Sequence, residues 1–292
     1  MDFDLPQGID LHVHSTASDG TYTPAEILAT AQATGLQAIS ITDHDTVAGT
    51  KEALEKASLF SVKVLSGIEM SAALPDSKTH IKGSFHVLGY GIDVKNEKLL
   101  STLQAFQAIR KNRTRQIIQK LQQLGCAIDI ADFNGITTTI GRPHIAQKMI
   151  EKGCVDSFND AFDRYLGKDK PAYVDKYRLP FRETATLLRS AGGIPVLAHP
   201  GLLSIQTAQE YATLFEKLHD LGLVGIEALY PLHTLAQTRL FLELAKTYGL
   251  LITGGSDFHG NIKPEIVLGE GDRSFFVPYS LYKTLTQRLQ EM

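Results

Sequence analysis

The sequence predicts an α/β fold of barrel type, and three observations carry that expectation. Short apolar runs alternate with stretches of helical periodicity, the pattern left by strand–helix repeats. The chain has 292 residues, an ordinary length for one α/β barrel. Imidazole and carboxylate side chains recur beside the strand-like runs, and the loops after barrel strands gather at one end. A doubly wound sheet shares the alternation and is the competing arrangement.

Taken in order, residues 8–13 form an apolar-rich strand leading into Asp10-Leu11-His12-Val13-His14. Thr23-Pro24-Ala25-Glu26 reads as a capping box with proline at the first helical position. The helix it opens runs through Ile27, Leu28 and Ala31, and Gly35 closes it. Residues 36–42 are the next strand, 46–57 the next helix and 62–68 a third strand. Residues 70–83 read as a loop of small and polar residues before a fourth strand at 84–90.

Between about 96 and 180 helical periodicity dominates and strand-like runs are nearly absent. Leu99, Leu103, Phe106, Ile109, Ile117 and Leu121 are spaced for one apolar face, with Arg110, Lys111, Arg113 and Arg115 crowded between them. Gly141-Arg142-Pro143-His144 opens another helix, and residues 158–166 form a further one. Alternation then returns: helix 182–191, strand 194–198, helix 206–221, strand 223–229, helix 234–247 and strand 250–253. The expected organisation is a barrel of residues 1–97 and 181–292, interrupted by an inserted helical subdomain of residues 98–180.

Hydrophobic residues make up 43% of the chain, enough to fill a substantial core. A formal charge of −3 gives no global basic field for non-specific nucleic-acid binding. Met1-Asp2-Phe3-Asp4 lacks the basic and apolar regions of a signal peptide, and no apolar run is long enough for a membrane span. A cytoplasmic protein with no membrane and no obligate protein partner is the simplest expectation. Cys126 and Cys154 lie in the helical stretch, suit neither a disulfide framework nor a metal site, and read as packing or surface thiols.

His12-Val13-His14 points two imidazoles to one face, because side-chain direction on a strand repeats every two residues. Thr42-Asp43-His44-Asp45, Gly67-Ile68-Glu69, Phe85-His86-Val87, Ala198-His199-Pro200 and Ser256-Asp257-Phe258-His259 follow in similar positions. A lone histidine after a strand is usually a satisfied core or surface residue. Six of the ten histidines share this placement, and Glu69 and Asp257 join them. Such carboxylates are costly to bury without positive charge nearby, and Lys and Arg are scarce in these segments. Divalent cations are the economical counter-charge.

Imidazole and carboxylate without thiolate suit manganese, iron or zinc. A carboxylate such as Glu69 can bridge two ions that share a hydroxide nucleophile. Asp10, Asp43 and Asp45 sit one or two positions from these histidines, where they either orient imidazoles or cap the following helix. Gly254-Gly255-Ser256-Asp257 lacks the serine-hydrolase elbow, and no phosphate-loop or dinucleotide glycine fingerprint occurs.

The assembly DLHVHSTASDGTYTP, ITDHDT, GIEMS, HVLGYGID, AHPG and GSDFHG resembles the polymerase and histidinol phosphatase (PHP) family of metal-dependent phosphoesterases, over nearly the whole chain. GRPHIA within the helical insertion is similar to the stand-alone subgroup that includes nucleoside 3′,5′-bisphosphate phosphatases and a 5′→3′ exoribonuclease. The resemblance implies a distorted (β/α)7 barrel with an inserted small helical subdomain. It also implies two or three divalent ions in a trinuclear centre, manganese foremost, with iron or zinc as alternatives. By that resemblance His12, His14, Glu69 and Asp257 would hold the first ion, Glu69, His86 and His199 the second, and Asp19, His44 and His259 the third. His80 competes with His86, but only His86 lies in the family-like HVLGY context.

The insertion would grip substrate, with Arg142 offering a planar fork for phosphate and His144 two residues on at a helix start. Arg113, Lys176 and Arg178 are further candidates, or else a solvated basic face. The implied reaction is hydrolysis of a nucleotide phosphomonoester by a metal-bridging hydroxide, with no covalent enzyme intermediate. Asp257, His199 and His259 are the candidate catalytic groups, His199 or His259 protonating the leaving group. The substrate class is a nucleoside 3′,5′-bisphosphate, such as adenosine 3′,5′-bisphosphate giving AMP and phosphate.

Short 5′-phosphorylated RNA is the related possibility, and the absence of a broad basic stripe favours the smaller ligand. Histidinol-phosphate phosphatase would share the metal chemistry without needing GRPHIA. Amide hydrolysis on a similar barrel often uses a carboxylated lysine at a strand end, for which no candidate exists here. A catalytically silent metal-binding module would have no use for the full ligand set.

Overall fold

Along strand β1 (Ile9–Val13) the apolar Ile9, Leu11 and Val13 alternate with Asp10 and His12, and all five are buried. The computed structural model describes residues 8–75, 81–134, 140–271 and 275–292. After β1 come helix α1 (Pro24–Ala33), β2 (Ala38–Ile41), α2 (Ala48–Lys56), β3 (Lys63–Val64), β4 (Gly67–Ala73) and β5 (His86–Tyr90). Helices α3 (Glu97–Gln123), α4 (Arg142–Glu151) and α5 (Phe158–Ala161) precede the short β6 (Leu179–Pro180). The chain ends with α6 (Phe181–Ser190), β7 (Ile194–Leu197), α7 (Ala208–Asp220), β8 (Gly225–Leu229), α8 (Leu235–Tyr248), β9 (Leu251–Gly254) and α9 (Tyr279–Gln290).

Local chemistry accounts for the first helix as expected. The Thr23 hydroxyl accepts from the Glu26 amide, the Glu26 carboxylate accepts from the Thr23 amide at 2.8 Å, and Gly35 takes φ +76° beyond the last turn. Two compact units emerge, Met1–Leu100 with Arg178–Met292, and Ser101–Tyr177.

In the first unit the strands form two sheets, β1-β2-β3 and β6-β4-β5-β7-β8-β9. The first is parallel throughout. In the second, β5 runs antiparallel to both β4 and β7, whereas the β7–β8 and β8–β9 pairs are parallel. The fold is therefore α/β with mixed sheets. Single bridges join the sheets at their ends, Val13 to Phe258 and His44 to Glu69.

Three expectations need correction. The strand expected over 62–68 is broken at Leu65-Ser66 into β3 and β4, and β4 continues to Ala73 into what reads as loop. The strand ending at Tyr90 is reversed relative to its neighbours, which an apolar run does not encode. Helix α9 follows β9 and has no counterpart among the expected elements; it buries only Leu285 fully, so its periodic signal is weak.

The second unit is helical. Ile117, Ile118 and Leu121 of α3 pack with Cys126, Ile128, Phe133, Ile145, Met149 and Leu166. Leu99, Leu103 and Phe106 are buried as the spacing requires, but Ile109 is 39% exposed and leaves the predicted stripe. Both cysteines are free thiols, Cys126 buried and Cys154 half-buried against the same cluster. No helix among the described residues is long and apolar enough to cross a membrane.

Gly255, just after β9, lies so close to β1 that an added Cβ would meet the Cβ and main chain of His12. Overpacking of this kind costs about 1–3 kcal/mol. Gly255→Ala should therefore melt several degrees below wild type in chelator; an unchanged Tm would contradict this close approach.

Candidate metal centre

Main-chain hydrogen bonds bring the donor-bearing segments together before any side chain is considered. The Asp257 amide donates to the His12 carbonyl at 2.9 Å, and the His14 amide donates to the Phe258 carbonyl at 2.9 Å. On the other side, the Asp45 amide donates to the Glu69 carbonyl at 2.8 Å and the Glu69 amide to the Asp43 carbonyl at 3.2 Å, flanking His44. The Ala198 amide donates to the His86 carbonyl at 3.2 Å, next to His199. Because β5 is antiparallel, its first residue, His86, lies at the edge where β7 ends. The strand expected over 84–90 is thus found as His86–Tyr90, with the histidine as its first residue.

Glu69 is the hub. Its Oε1 lies 2.9 Å from His86 Nδ1 and 2.9 Å from His199 Nε2. Its Oε2 lies 2.8 Å from His44 Nδ1, 3.3 Å from His14 Nε2 and 3.5 Å from His12 Nε2. Asp257 Oδ1 stands 3.1 Å from His14 Nε2 and 3.5 Å from His12 Nε2. Asp19 faces His14, His44 and His259 at 3.5, 3.7 and 3.6 Å.

Four donor groups of this cluster could each hold a cation: His14, Asp19, His44 and His259; His12, His14 and Asp257; His12, Glu69 and His199; His44, Glu69 and His86. All nine residues expected from the resemblance are thus brought together, with His12, His14, His44 and Glu69 each falling in two groups. His80 lies outside the described residues.

The donor set fits divalent cations by a test internal to the structure. Glu69 Oε2 and His44 Nδ1 are buried and in contact at 2.8 Å, yet outside hydrogen-bond geometry. His12 and His14 point their Nε2 atoms at one another across 3.2 Å. Donors that converge without pairing are what ligands of a shared cation leave behind.

A surrounding layer fixes the imidazoles. His12 Nδ1 lies 2.9 Å from Glu227 Oε1, and the His199 amide donates to Glu227 Oε2 at 2.7 Å. His259 Nδ1 lies 2.7 Å from the Asp257 carbonyl, which leaves its Nε2 toward Asp19. Asp10 and Asp43 play a different part from imidazole orientation. Asp10 accepts from the Ser256 amide and hydroxyl and the Gly269 amide; Asp43 accepts from the Ser15 amide and from the Ser15 and Ser18 hydroxyls. Both carboxylates therefore pin loops to strand ends, and burial raises their pKa values against those hydrogen bonds. Asp45 accepts from the Ser71 amide at 2.8 Å.

Three features were missed in the sequence. Glu227 is fully buried on β8, in a Gly-Ile-Glu run like the one that carries Glu69. Lys263 donates to Asp257 Oδ2 at 2.8 Å, a cation where few were expected, and the Tyr230 hydroxyl donates to the same oxygen at 3.0 Å. His199, Asp257 and Asp45 take positive φ of 27°, 57° and 50°. Non-glycine residues in that region cost about 1–3 kcal/mol each and collect at functional sites.

Burial disfavours charge on Glu69 and Asp257, but the surrounding imidazoles overcome it and hold both carboxyls well below their usual range. Burial likewise opposes charge on His14, yet Asp257 and Glu69 raise it to about 10, and His12 is raised well above its ordinary value by Glu227, Glu69 and Asp257. His44, where burial dominates, falls to about 4.

The substrate candidates of the helical unit are built into its framework. Arg142 donates to the Leu166 carbonyl at 3.0 Å, with its guanidinium 5.6 Å from the Phe162 ring centre and 5.5 Å from that of Tyr173. His144 is exposed, and its Nδ1 accepts from the Gly141 amide at 3.0 Å. Arg113 Nε donates to the Val174 carbonyl, and the Lys176 amide donates to the Asp175 carboxylate. Arg178 falls in the first unit.

Residues 10–250 match the PHP domain. The chain belongs to the PHP family and is a metal-dependent phosphoesterase. It is 31% identical over 275 residues to a 3′,5′-nucleoside bisphosphate phosphatase of Chromobacterium violaceum, covering 91% of this chain and 89% of that protein. A 5′-3′ exoribonuclease of Haemophilus influenzae is also 31% identical, over 252 residues, covering 86% of this chain and 89% of that protein. Among solved structures, a Bifidobacterium adolescentis protein described as a metal-dependent phosphoesterase superposes with a TM-score of 0.78 at 31% identity, covering 97% of this chain and 98% of that one.

The raised His14 gives a pH prediction with a definite sign. Its contribution to the metal-free fold is complete below the ordinary imidazole value of 6.5 and is lost as pH rises through about 10. The Tm of chelated protein should therefore fall across that window. Manganese addition at pH 7 should release protons, read by calorimetry in buffers of different ionisation heat. Binding without proton release would contradict a charged His14.

Proposed function

We propose that this phosphoesterase removes a phosphate from nucleoside 3′,5′-bisphosphates, adenosine 3′,5′-bisphosphate giving AMP and phosphate. The observation that carries the proposal is the donor cluster around Glu69, in a chain 31% identical over 275 residues to a phosphatase of that substrate class. Hydrolysis of short 5′-phosphorylated RNA is the second reading, supported by the equally similar exoribonuclease. The single bridges joining the two sheets support a distorted (β/α)7 barrel as the enclosing architecture.

We assign His12, His14, Glu69 and Asp257 to one cation, Glu69, His86 and His199 to a second, and Asp19, His44 and His259 to a third. Manganese is the proposed ion on the family resemblance, with iron or zinc as alternatives, since a set of imidazole and carboxylate without thiolate suits all three. When bound, such ions acidify a water and offset charge on phosphoryl oxygens.

The chain's own groups do the rest. Glu69 directs its two oxygens to different sets of imidazoles, so a single carboxylate fixes the spacing of two sites. Asp257 turns Oδ1 toward the cluster because Lys263 and Tyr230 hold Oδ2. His199 or His259, acting in place of holding a cation, would supply the proton that the leaving oxygen needs.

Arg142 and His144, with Arg113 and Lys176, are the proposed substrate grip of the helical unit. The contacts of Arg142 with the Phe162 and Tyr173 rings and the Leu166 carbonyl support a rigid guanidinium fork rather than a mobile one.

Product release tests the substrate class: phosphate from adenosine 3′,5′-bisphosphate and from histidinol phosphate, mononucleotides from 5′-phosphorylated oligoribonucleotides, and carboxylate from an acyl-amide, the bisphosphate being the expected best substrate. Activity confined to another member of the panel would replace it. Arg142→Ala should raise KM for the bisphosphate about 10-fold or more, as loss of a charge-assisted phosphate contact does, with little change for an aryl phosphate. Equal effects on both would remove Arg142 from the grip.

A further inference from the structure

We propose that Glu227, which belongs to none of the donor groups, is a positioning residue that sets two of them at once. The proposal rests on the metal reading above and deepens it. Glu227 sits mid-strand on β8, fully buried between Ile226 and Ala228. A carboxylate in that position is costly unless both oxygens are engaged. Both are, and each partner belongs to a different proposed cation.

Oε1 faces His12 Nδ1 at 2.9 Å. A proton held on Nδ1 by that carboxylate leaves the Nε2 lone pair facing His14 Nε2 at 3.2 Å and the carboxylates of Glu69 and Asp257 at 3.5 Å each. Oε2 accepts the His199 amide at 2.7 Å. That contact secures a backbone at φ 27° and ψ 56°, from which His199 Nε2 reaches Glu69 Oε1 at 2.9 Å. Without an acceptor in this place, the strained His199 conformation loses a tether and His12 loses the group that selects its tautomer.

A carboxylate is needed for this double role. Two N–H donors converge on Glu227 from residues 12 and 199. A glutamine of the same shape offers one acceptor oxygen, and its amide nitrogen can only donate. Glu227→Gln must therefore break one of the two contacts or turn His12 into the tautomer whose Nδ1 accepts, which puts its proton on Nε2, whereas a residue that merely fills space would tolerate it.

The test uses the full chain and zinc alone. Zinc affinity, measured by chelator competition, should fall about 10- to 100-fold in Glu227→Gln, the usual cost of losing such an outer partner. Circular dichroism of the chelated variant should show a native fold. In the zinc-loaded wild type, histidine 15N spectra should place the His12 proton on Nδ1, assigned with His12→Gln, and Glu227→Gln should shift or broaden that signal.

Zinc affinity within twofold of wild type in a folded Glu227→Gln overturns the proposal. So does a wild-type His12 protonated on Nε2 with zinc bound, a measurement that stands even if the variant fails to fold. A wild type that binds no zinc overturns both this role and the metal reading, whereas tight wild-type binding unaltered by Glu227→Gln overturns this role alone. Neither readout uses a substrate, so a wrong substrate class cannot be mistaken for either result.

Discussion

A buried carboxylate ringed by five imidazoles is the constraint on which the rest of this structure depends. Glu69 has no access to water, and His12, His14, His44, His86 and His199 all lie within 3.5 Å of its two oxygens. Such a group survives in a protein interior only when opposite charge is built around it. In the metal-free chain the surrounding carboxylates favour protons on His12 and His14, and under the proposed assignment bound cations would take their place. Stability and chemistry therefore draw on the same electrostatic centre.

The fold is arranged to deliver those imidazoles. Parallel strands β1 and β2 bring His12, His14 and His44 in from one sheet, while β4, β5 and β7 bring Glu69, His86 and His199 from the other. The reversal of β5 matters because it puts the start of that strand, with His86, at the edge where β7 hands over to His199. Two bridges at the sheet ends complete the alignment. Strain at His199 and Asp257 is tolerated because Glu227 grips the His199 amide and Lys263 and Tyr230 grip the Asp257 carboxylate.

Much of this was legible in the chain, and what was not has physical reasons. His12 and His14 announce themselves because a strand repeats every two residues, and Glu69 because an acid within an apolar run is costly. Thr23 and Glu26 gave the start of α1 because a capping box is entirely local. Strand direction was hidden, since an apolar run reads the same either way and β5 pairs with segments distant in sequence. Lys263 was hidden because its meeting with Asp257 depends on the turn over Gly260–Ile262. Glu227 was visible in principle, for Gly225-Ile226-Glu227 repeats the Gly-Ile-Glu of residues 67–69; it was overlooked because no histidine accompanies it. Asp10 and Asp43 show the converse, acids beside ligand-like histidines that serve loop geometry.

The most direct measurement is anomalous diffraction at the manganese edge from crystals grown with that ion. More than one peak should appear, one within coordination distance of each Glu69 oxygen, and the same crystals of Glu69→Gln should lose at least the shared position. Peaks only at surface carboxylates, with the imidazoles around Glu69 paired to it and nothing between them, would contradict the account.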